Sequence, residues 1–237
     1  MSSAEHVEPK WVMVNGELRV VSEFADIAPR QRPAALCPLC ECTVHLKLGS
    51  KKRHHYAHQR EAECAATQSE TALHLNTKFH FYQQLLEAKN SGLPLFFERC
   101  CQHAHLAGDT CQKRRQDVWI EEWDQVEVEY RIGTFRPDLA LLREGQVIGA
   151  IEVLVTHAVD ERKAKYFEDN RIPWLEMRAT PALYEGDAPW QISDPLPGRP
   201  EGPGYFPQRW TCDPCRRGAH RKGNLKSVSA LQKVAGA

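Results

Sequence analysis

Cysteine and histidine supply the densest chemistry in this chain. Cys37-Pro38-Leu39-Cys40 is a C-x-x-C knuckle, a tight turn that aims two thiolates at one point. His58 lies eighteen positions beyond Cys40, and Cys64 lies six beyond His58. A tetrahedral structural zinc takes its second pair of ligands at about this separation. Cys37, Cys40, His58 and Cys64 are therefore the predicted site, three thiolates and one imidazole, with Cys42 and His55 as neighbouring substitutes. The competing reading is unliganded core thiols beside basic-patch histidines. Spacing weighs against it, and a small β unit with few large apolar residues needs such a staple.

A second set is drawn from distant segments. Cys100, Cys101 and Cys111 follow an apolar strand, and Cys212-Asp213-Pro214-Cys215 is another knuckle far downstream. One C-x-x-C plus two upstream cysteines closes an all-thiolate site that pins the C-terminal segment to the middle of the chain. We assign Cys100 and Cys111 to Cys212 and Cys215, with His103, His105 and His220 as spare ligands.

The carboxylates point to a different metal. Arg136-Pro137-Asp138 opens the run Leu139 to Leu142, and Val147 to Val155 carries Glu152. Both runs are apolar on both faces, as at the centre of a buried sheet. A buried carboxylate needs a cation, a hydrogen-bond network or a metal. Facing Asp138 with Glu152 in this hairpin requires an odd-length loop such as Glu144-Gly145-Gln146. A two-residue loop would place them on opposite faces and remove the site. Facing carboxylates make a Mg²⁺ or Mn²⁺ site of hard oxygen ligands. The structural alternative is a pair of ion pairs, with Arg136 or Arg131 against Asp138 and a helix lysine against Glu152.

A third element is a helical stripe. Glu70, His74 and Lys78 are spaced by four and share one face of a helix. They would present a carboxylate, an imidazole and an ammonium to the same centre. The plainer reading makes Thr67-x-x-Glu70 a capping box and the other two a solvated face.

Several elements must position these groups. Trp11 to Val21 reads as a hairpin about Asn15-Gly16. Leu75, Phe79, Tyr82 and Leu86 give helical periodicity from Thr67 to Asn90, stopped by Gly92-Leu93-Pro94. Strands follow at Leu95 to Phe97, within Val118 to Tyr130, and in the Phe135–Leu142 and Val147–Val155 hairpin. A short helix at Val159 to Asn170 and a strand at Ile172 to Met177 complete the core. Pro181 to Pro207 holds seven prolines and reads as a linker or a surface-hugging extended segment. Beyond it lies a basic Cys-containing segment with a small-residue tail expected to fray. The predicted units are 1–64, 65–180 and 181–237.

Composition narrows the class. The chain has 237 residues, 42% hydrophobic and 26% charged, with zero formal net charge. That is a folded protein with a sizeable core, and net charge alone indicates no nucleic-acid partner. Charge is uneven, however: Lys47 to Arg60 carries five Lys or Arg and no acid, while Asp117 to Glu129 carries six acids and no base. Basic stretches of this kind track phosphates even on a neutral chain. No apolar run reaches membrane-spanning length, and Met1 to Lys10 lacks the apolar core of a signal peptide. The expectation is a soluble cytoplasmic protein with no membrane partner.

Taken in order, Cys37-Pro-x-Cys40, His55-Tyr-Ala-His58, Cys64, Glu70-Thr-x-x-His74-x-x-x-Lys78, Arg136-Pro-Asp138 and Ile151-Glu152-Val153 resemble the CoiA competence-protein family. The resemblance runs from about Trp11 to Met177. It implies an α+β or α/β fold: a restriction-endonuclease-like PD-(D/E)xK core behind a small β-rich zinc module, with a C-terminal Cys pair. It also implies a Mg²⁺- or Mn²⁺-dependent DNA nuclease in recombination, uptake or defence. Asp138 and Glu152 would hold the metal, with Glu70 as a further carboxylate. His74 would contact phosphate or the metal's water, and Lys78 would offset transition-state charge. DNA would be gripped by its backbone, with a protein partner in a DNA-processing complex. One position departs from the motif: two residues after Glu152, where the family has Lys or Gln, stands Leu154. Lys78, Lys163 or Lys165 would have to supply the missing group. Otherwise the chain is a DNA-binding protein on a decayed nuclease fold, or a zinc-stapled adaptor for protein.

Overall fold

The computed structural model describes residues 6–59, 64–101, 111–156, 158–201 and 210–217. His103, His105, His220 and the small-residue tail lie outside the described residues. The fold is mixed α+β, with two five-stranded sheets, a separate hairpin and one long helix between them.

The first sheet is antiparallel and small. Strands β1 (Trp11–Val14) and β2 (Glu17–Val20) form the expected hairpin, with Asn15 and Gly16 at φ 53° and 82°. Positive φ at both central residues matches the right-handed twist of the strands. β3 (Ala35–Leu36), β4 (Thr43–Lys47) and β5 (His55–His58) extend it in the order β2-β1-β3-β4-β5. The exposed basic loop Lys51-Lys52-Arg53 joins β4 to β5.

Helix α1 (Ser69–Ser91) serves two cores at once. Leu75 and Phe79 pack with Trp11, Val12, Val21 and Tyr56 of the first unit. Phe81, Leu85 and Ala88 pack with the second sheet. Asn76, Thr77, Lys78 and Gln84 are buried as well, so the helix is enclosed along much of its circumference. Gly92, left-handed at φ 64°, ends it as the sequence predicts. Its start differs from expectation. The N-cap is Gln68, and the Thr67 hydroxyl donates to Cys64 O at 2.8 Å, so no Thr67–Glu70 capping box forms.

The second part begins with the antiparallel hairpin β6 (Leu95–Cys100) and β7 (Arg114–Ile120). β8 (Gln125–Val128), β9 (Leu139–Arg143) and β10 (Gln146–Leu154) then run antiparallel. After α2 (Glu161–Asp169), β11 (Trp174–Arg178) returns parallel to β10. A parallel return requires a crossover element, which α2 supplies. Leu139, Leu141, Ile151 and Val153 pack toward α1, whereas Ala150 packs against Phe167 of α2.

The Pro-rich segment is packed on the body. Trp190 stacks on Phe81 with ring centroids 4.0 Å apart, and Leu196 N–H donates to Phe96 O at 2.8 Å. The described part of the segment ends in β12 (Arg199–Glu201), an added edge strand on β11. Pro200 is tolerated there because an edge strand need not donate outward. The short helix α3 (Asp213–Arg216) follows. No helix among the described residues is long and apolar enough to cross a membrane.

Candidate metal centres

The four predicted N-terminal ligands converge. Cys37, Cys40, His58 and Cys64 have ligand atoms within 4.8 Å of one another. The turn after β3 carries the two knuckle cysteines, β5 ends at His58, and Cys64 immediately precedes the approach to α1. The Cys37 and Cys64 sulfurs are 3.9 Å apart, and Cys40 Sγ is 3.3 Å from His58 Nε2. Zinc–sulfur bonds of about 2.3 Å give tetrahedral edges of about 3.8 Å, so this donor set fits a zinc-sized ion. Tyr56 OH lies 3.2 Å from Cys37 Sγ, a buried hydroxyl placed to donate to a thiolate. His55, one of the substitutes, instead faces Glu8 at 3.0 Å, and Cys42 is exposed.

Electrostatics shows why these groups call for a cation. Burial pushes the Cys40 thiol up, but the Cys42 backbone N–H and hydrogen bonds with His58, Cys64 and Cys37 bring it down to about 6. Burial drives Cys64 the other way, up to about 12, with Cys40 and Cys37 adding to the rise against the Ala66 N–H. Thiols crowded in this way become thiolates together only when a positive ion offsets their repulsion.

The second cluster forms with one ligand exchanged. Cys101, Cys111, Cys212 and Cys215 are buried and lie within 4.8 Å of one another. Cys111 Sγ is 3.6 Å from Cys212 Sγ, and Cys212 N–H points to Cys101 Sγ at 3.5 Å. Cys100, the sequence assignment, is exposed and outside the cluster. Successive strand residues face opposite sides, so only one of Cys100 and Cys101 can turn inward, and it is Cys101. Burial, together with the three neighbouring thiols, pushes Cys215 upward. Both clusters have donor sets that could hold a metal such as zinc.

The carboxylates meet by an unexpected route. The β9–β10 turn has two residues, Glu144 and Gly145 at φ 52° and 75°, and not the three that the sequence suggests. A β-bulge between Val147 and Gly149 supplies the extra residue, after which Ile151 pairs with Leu139. That register sets Glu152 across from Asp138. Glu152 shares the β10 face of Ala150, which packs on α2, and is 7% exposed.

Three basic side chains from two helices hold the pair. His74 Nε2 lies 3.0 Å from Asp138 Oδ1, and Lys78 Nζ lies 3.6 Å from the same oxygen. Val153 N–H donates to Asp138 Oδ2 at 2.9 Å. Burial would raise Asp138, but His74, Lys78 and the Val153 N–H outweigh it and hold the carboxyl below its ordinary range. Lys163 Nζ of α2 is 2.5 Å from Glu152 Oε1, an oxygen with no aligned hydrogen bond. Burial pushes Glu152 up to about 7, with Asp138 adding to the rise and Lys163 opposing it. Arg136 offers only its backbone carbonyl, which accepts from Lys163 at 2.8 Å.

Three contacts escape sequence reasoning. Lys78, 2% exposed, donates to Glu129 Oε1 at 2.7 Å, and Glu129 is itself left-handed at φ 51°. Glu70 is exposed and accepts the Thr156 hydroxyl, which ties α1 to the end of β10. Glu176 sits opposite Glu152 on β11 and accepts Val159 N–H at 2.6 Å, fixing the approach to α2. Spacing along the chain carries no signal for any of them, because each depends on strand register.

The structure thus defines an α+β protein with two Cys or Cys/His clusters suited to a soft metal and one buried carboxylate pair. Residues 28–67 match the family model "Competence protein CoiA, N-terminal domain", so this segment of the chain is similar to that domain. The match includes all four residues of the first cluster. Neither a curated protein nor a solved structure matches the chain.

Proposed function

We propose that the chain is a metal-dependent DNA nuclease with a competence-related role, carrying structural zinc in its N-terminal module. The observation that carries this reading is the register that faces Asp138 with Glu152 in a buried sheet, between helices that contribute His74 and Lys163. Asp138 and Glu152 offer hard oxygen donors of the kind Mg²⁺ and Mn²⁺ select, and these two residues would hold the ion. When bound, such an ion polarises the scissile phosphate and lowers the pKa of water. The order of helix, antiparallel strands, crossover helix and parallel strand supports the reading of a restriction-endonuclease-like core.

Hydrolysis joins a water oxygen to phosphorus and breaks the bond to the leaving sugar oxygen. That oxygen takes one water proton, and the other stays on the new phosphate. The chain's own groups orient and neutralise. His74 fixes Asp138 from one side, Lys78 supports the same carboxylate from beneath, and Glu70 holds the Thr156 segment. Lys51 and Lys52 form an exposed loop suited to sequence-independent phosphate contacts, next to Arg53, which is paired with Glu185.

Leu154 favours a second reading, a DNA-binding protein whose nuclease site has decayed. Cleavage of single-stranded, duplex and branched DNA with Mg²⁺ and with Mn²⁺ separates the two. The first reading requires cleavage that disappears in Asp138→Ala and Glu152→Ala. Salt-sensitive DNA binding without cleavage would establish the second, and binding to neither would leave a zinc-stapled protein adaptor.

A further inference from the structure

We propose that Lys163 supplies the catalytic ammonium that the motif normally places two residues after the glutamate, an inference that rests on the nuclease reading above. Leu154 and Glu152 are two apart on β10, so a lysine at 154 would rise from the same sheet face as Glu152. That face packs on α2, through Ala150 against Phe167. α2 therefore lies over the place where the motif's ammonium belongs, and Lys163 reaches down from it to within 2.5 Å of Glu152 Oε1. The ion pairs of the other two lysines do not include Glu152. Lys165 faces Asp169 at 3.2 Å with 72% of its side chain exposed, and Lys78 is shared between Glu129 and Asp138.

The helix that delivers Lys163 is fixed at its start. Asp160 caps α2 by accepting Arg162 N–H at 2.8 Å, and Glu176 accepts Val159 N–H at 2.6 Å. Lys163 also donates to Arg136 O at 2.8 Å, next to the Pro137-Asp138 turn. Its side chain is only 16% exposed, so the ammonium is held between the two metal-binding carboxylate segments. There it offsets the negative charge that grows on the phosphoryl oxygens as water attacks, a contribution greatest when the donor is preorganised. A purely structural lysine would also neutralise Glu152, so the test must read more than folding.

The experiment compares wild type, Lys163→Met, Lys163→Met with Leu154→Lys, and Lys165→Met in full-length zinc-loaded protein. DNA cleavage and Mn²⁺ affinity by calorimetry are measured side by side. Lys163→Met should cut cleavage by about 10²–10³-fold. It should bind Mn²⁺ as tightly as wild type or several-fold more tightly, because a competing cation has left Glu152. Leu154→Lys should restore at least about tenfold of the lost cleavage, and Lys165→Met should match wild type. Three results overturn the proposal: full cleavage by Lys163→Met, no recovery with Leu154→Lys, or loss of Mn²⁺ binding in step with cleavage. Wild-type cleavage that is abolished in Asp138→Ala preserves the nuclease reading in all three cases. Absence of cleavage by wild type overturns both together.

Discussion

The N-terminal Cys/His cluster and the carboxylate pair bring candidate donor groups together in two different ways. Cys37, Cys40, His58 and Cys64 fall within twenty-eight consecutive residues, and local turns bring their ligand atoms within 4.8 Å. Asp138 and Glu152 meet only because a two-residue turn and a bulge combine to set the ladder. The first is assembled from spacing and soft donors, the second from long-range register and hard donors. The lesson is that the first organises a fold, whereas the second depends on a fold that already exists.

The largest expected effect separates them by stability. Cys37→Ser or Cys40→Ser should remove one zinc equivalent and expose residues 11–64 to proteolysis, since thiolate–zinc binding contributes on the order of 10 kcal/mol. Asp138→Ala should leave zinc content intact. A protein that contained no zinc when purified without chelator would dissolve the distinction.

Next in size is cleavage. Asp138→Ala and Glu152→Ala should each lower it by at least about 10²–10³-fold, the scale of losing a central electrostatic contributor. Protein with Cys212→Ser should keep cleavage more nearly intact while losing one zinc equivalent, if the second cluster binds its own ion. Metal analysis together with the cleavage rate checks both statements.

Register provides a sharper test. Ile148 is the extra residue of the bulge, and its removal leaves Gly149 opposite Leu141 and Glu152 opposite Asp138. Deleting Ile148 should therefore retain Mn²⁺ binding, at the cost of some packing, as thermal unfolding would report. Loss of binding on that deletion would show that the bulge shapes the site beyond setting its register.

The smallest effect is a pH dependence in metal-free protein. Burial raises Glu152 to about 7, well above the ordinary carboxylate range. A raised carboxyl stabilises the folded state below the unfolded pKa, and that stability is lost as pH rises through the folded pKa. Wild type should thus lose on the order of 3 kcal/mol between pH about 4.5 and pH about 7. Glu152→Gln should lose less over the same window and unfold at a higher temperature than wild type at pH 8. Parallel melting curves at pH 5 and pH 8 decide it.

What could be read from the sequence follows the same division. Asn15-Gly16, Gly92 and the helical periodicity of Leu75 and Phe79 specify local geometry, and the corresponding elements form where they indicate. The apolar runs about Ala140 and Ala150 announce a buried sheet centre. Spacing leaves Cys100 and Cys101 equivalent, because strand phase, not proximity, selects the inward thiol. It conceals β12, whose prolines argue for a linker until β11 offers an edge. The contacts of Glu129 and Glu176 lie across strands or helices, where no local pattern records them, whereas a helix lysine against Glu152 is an ion pair the sequence offers and Lys163 makes it.

One measurement tests the central claim most directly: Mn²⁺ titration of zinc-loaded protein, with zinc content followed in the same samples. The account predicts Mn²⁺ binding in wild type that vanishes in Asp138→Ala and in Glu152→Ala while zinc stays constant. Mn²⁺ binding that survives both substitutions, or that displaces zinc, would contradict it.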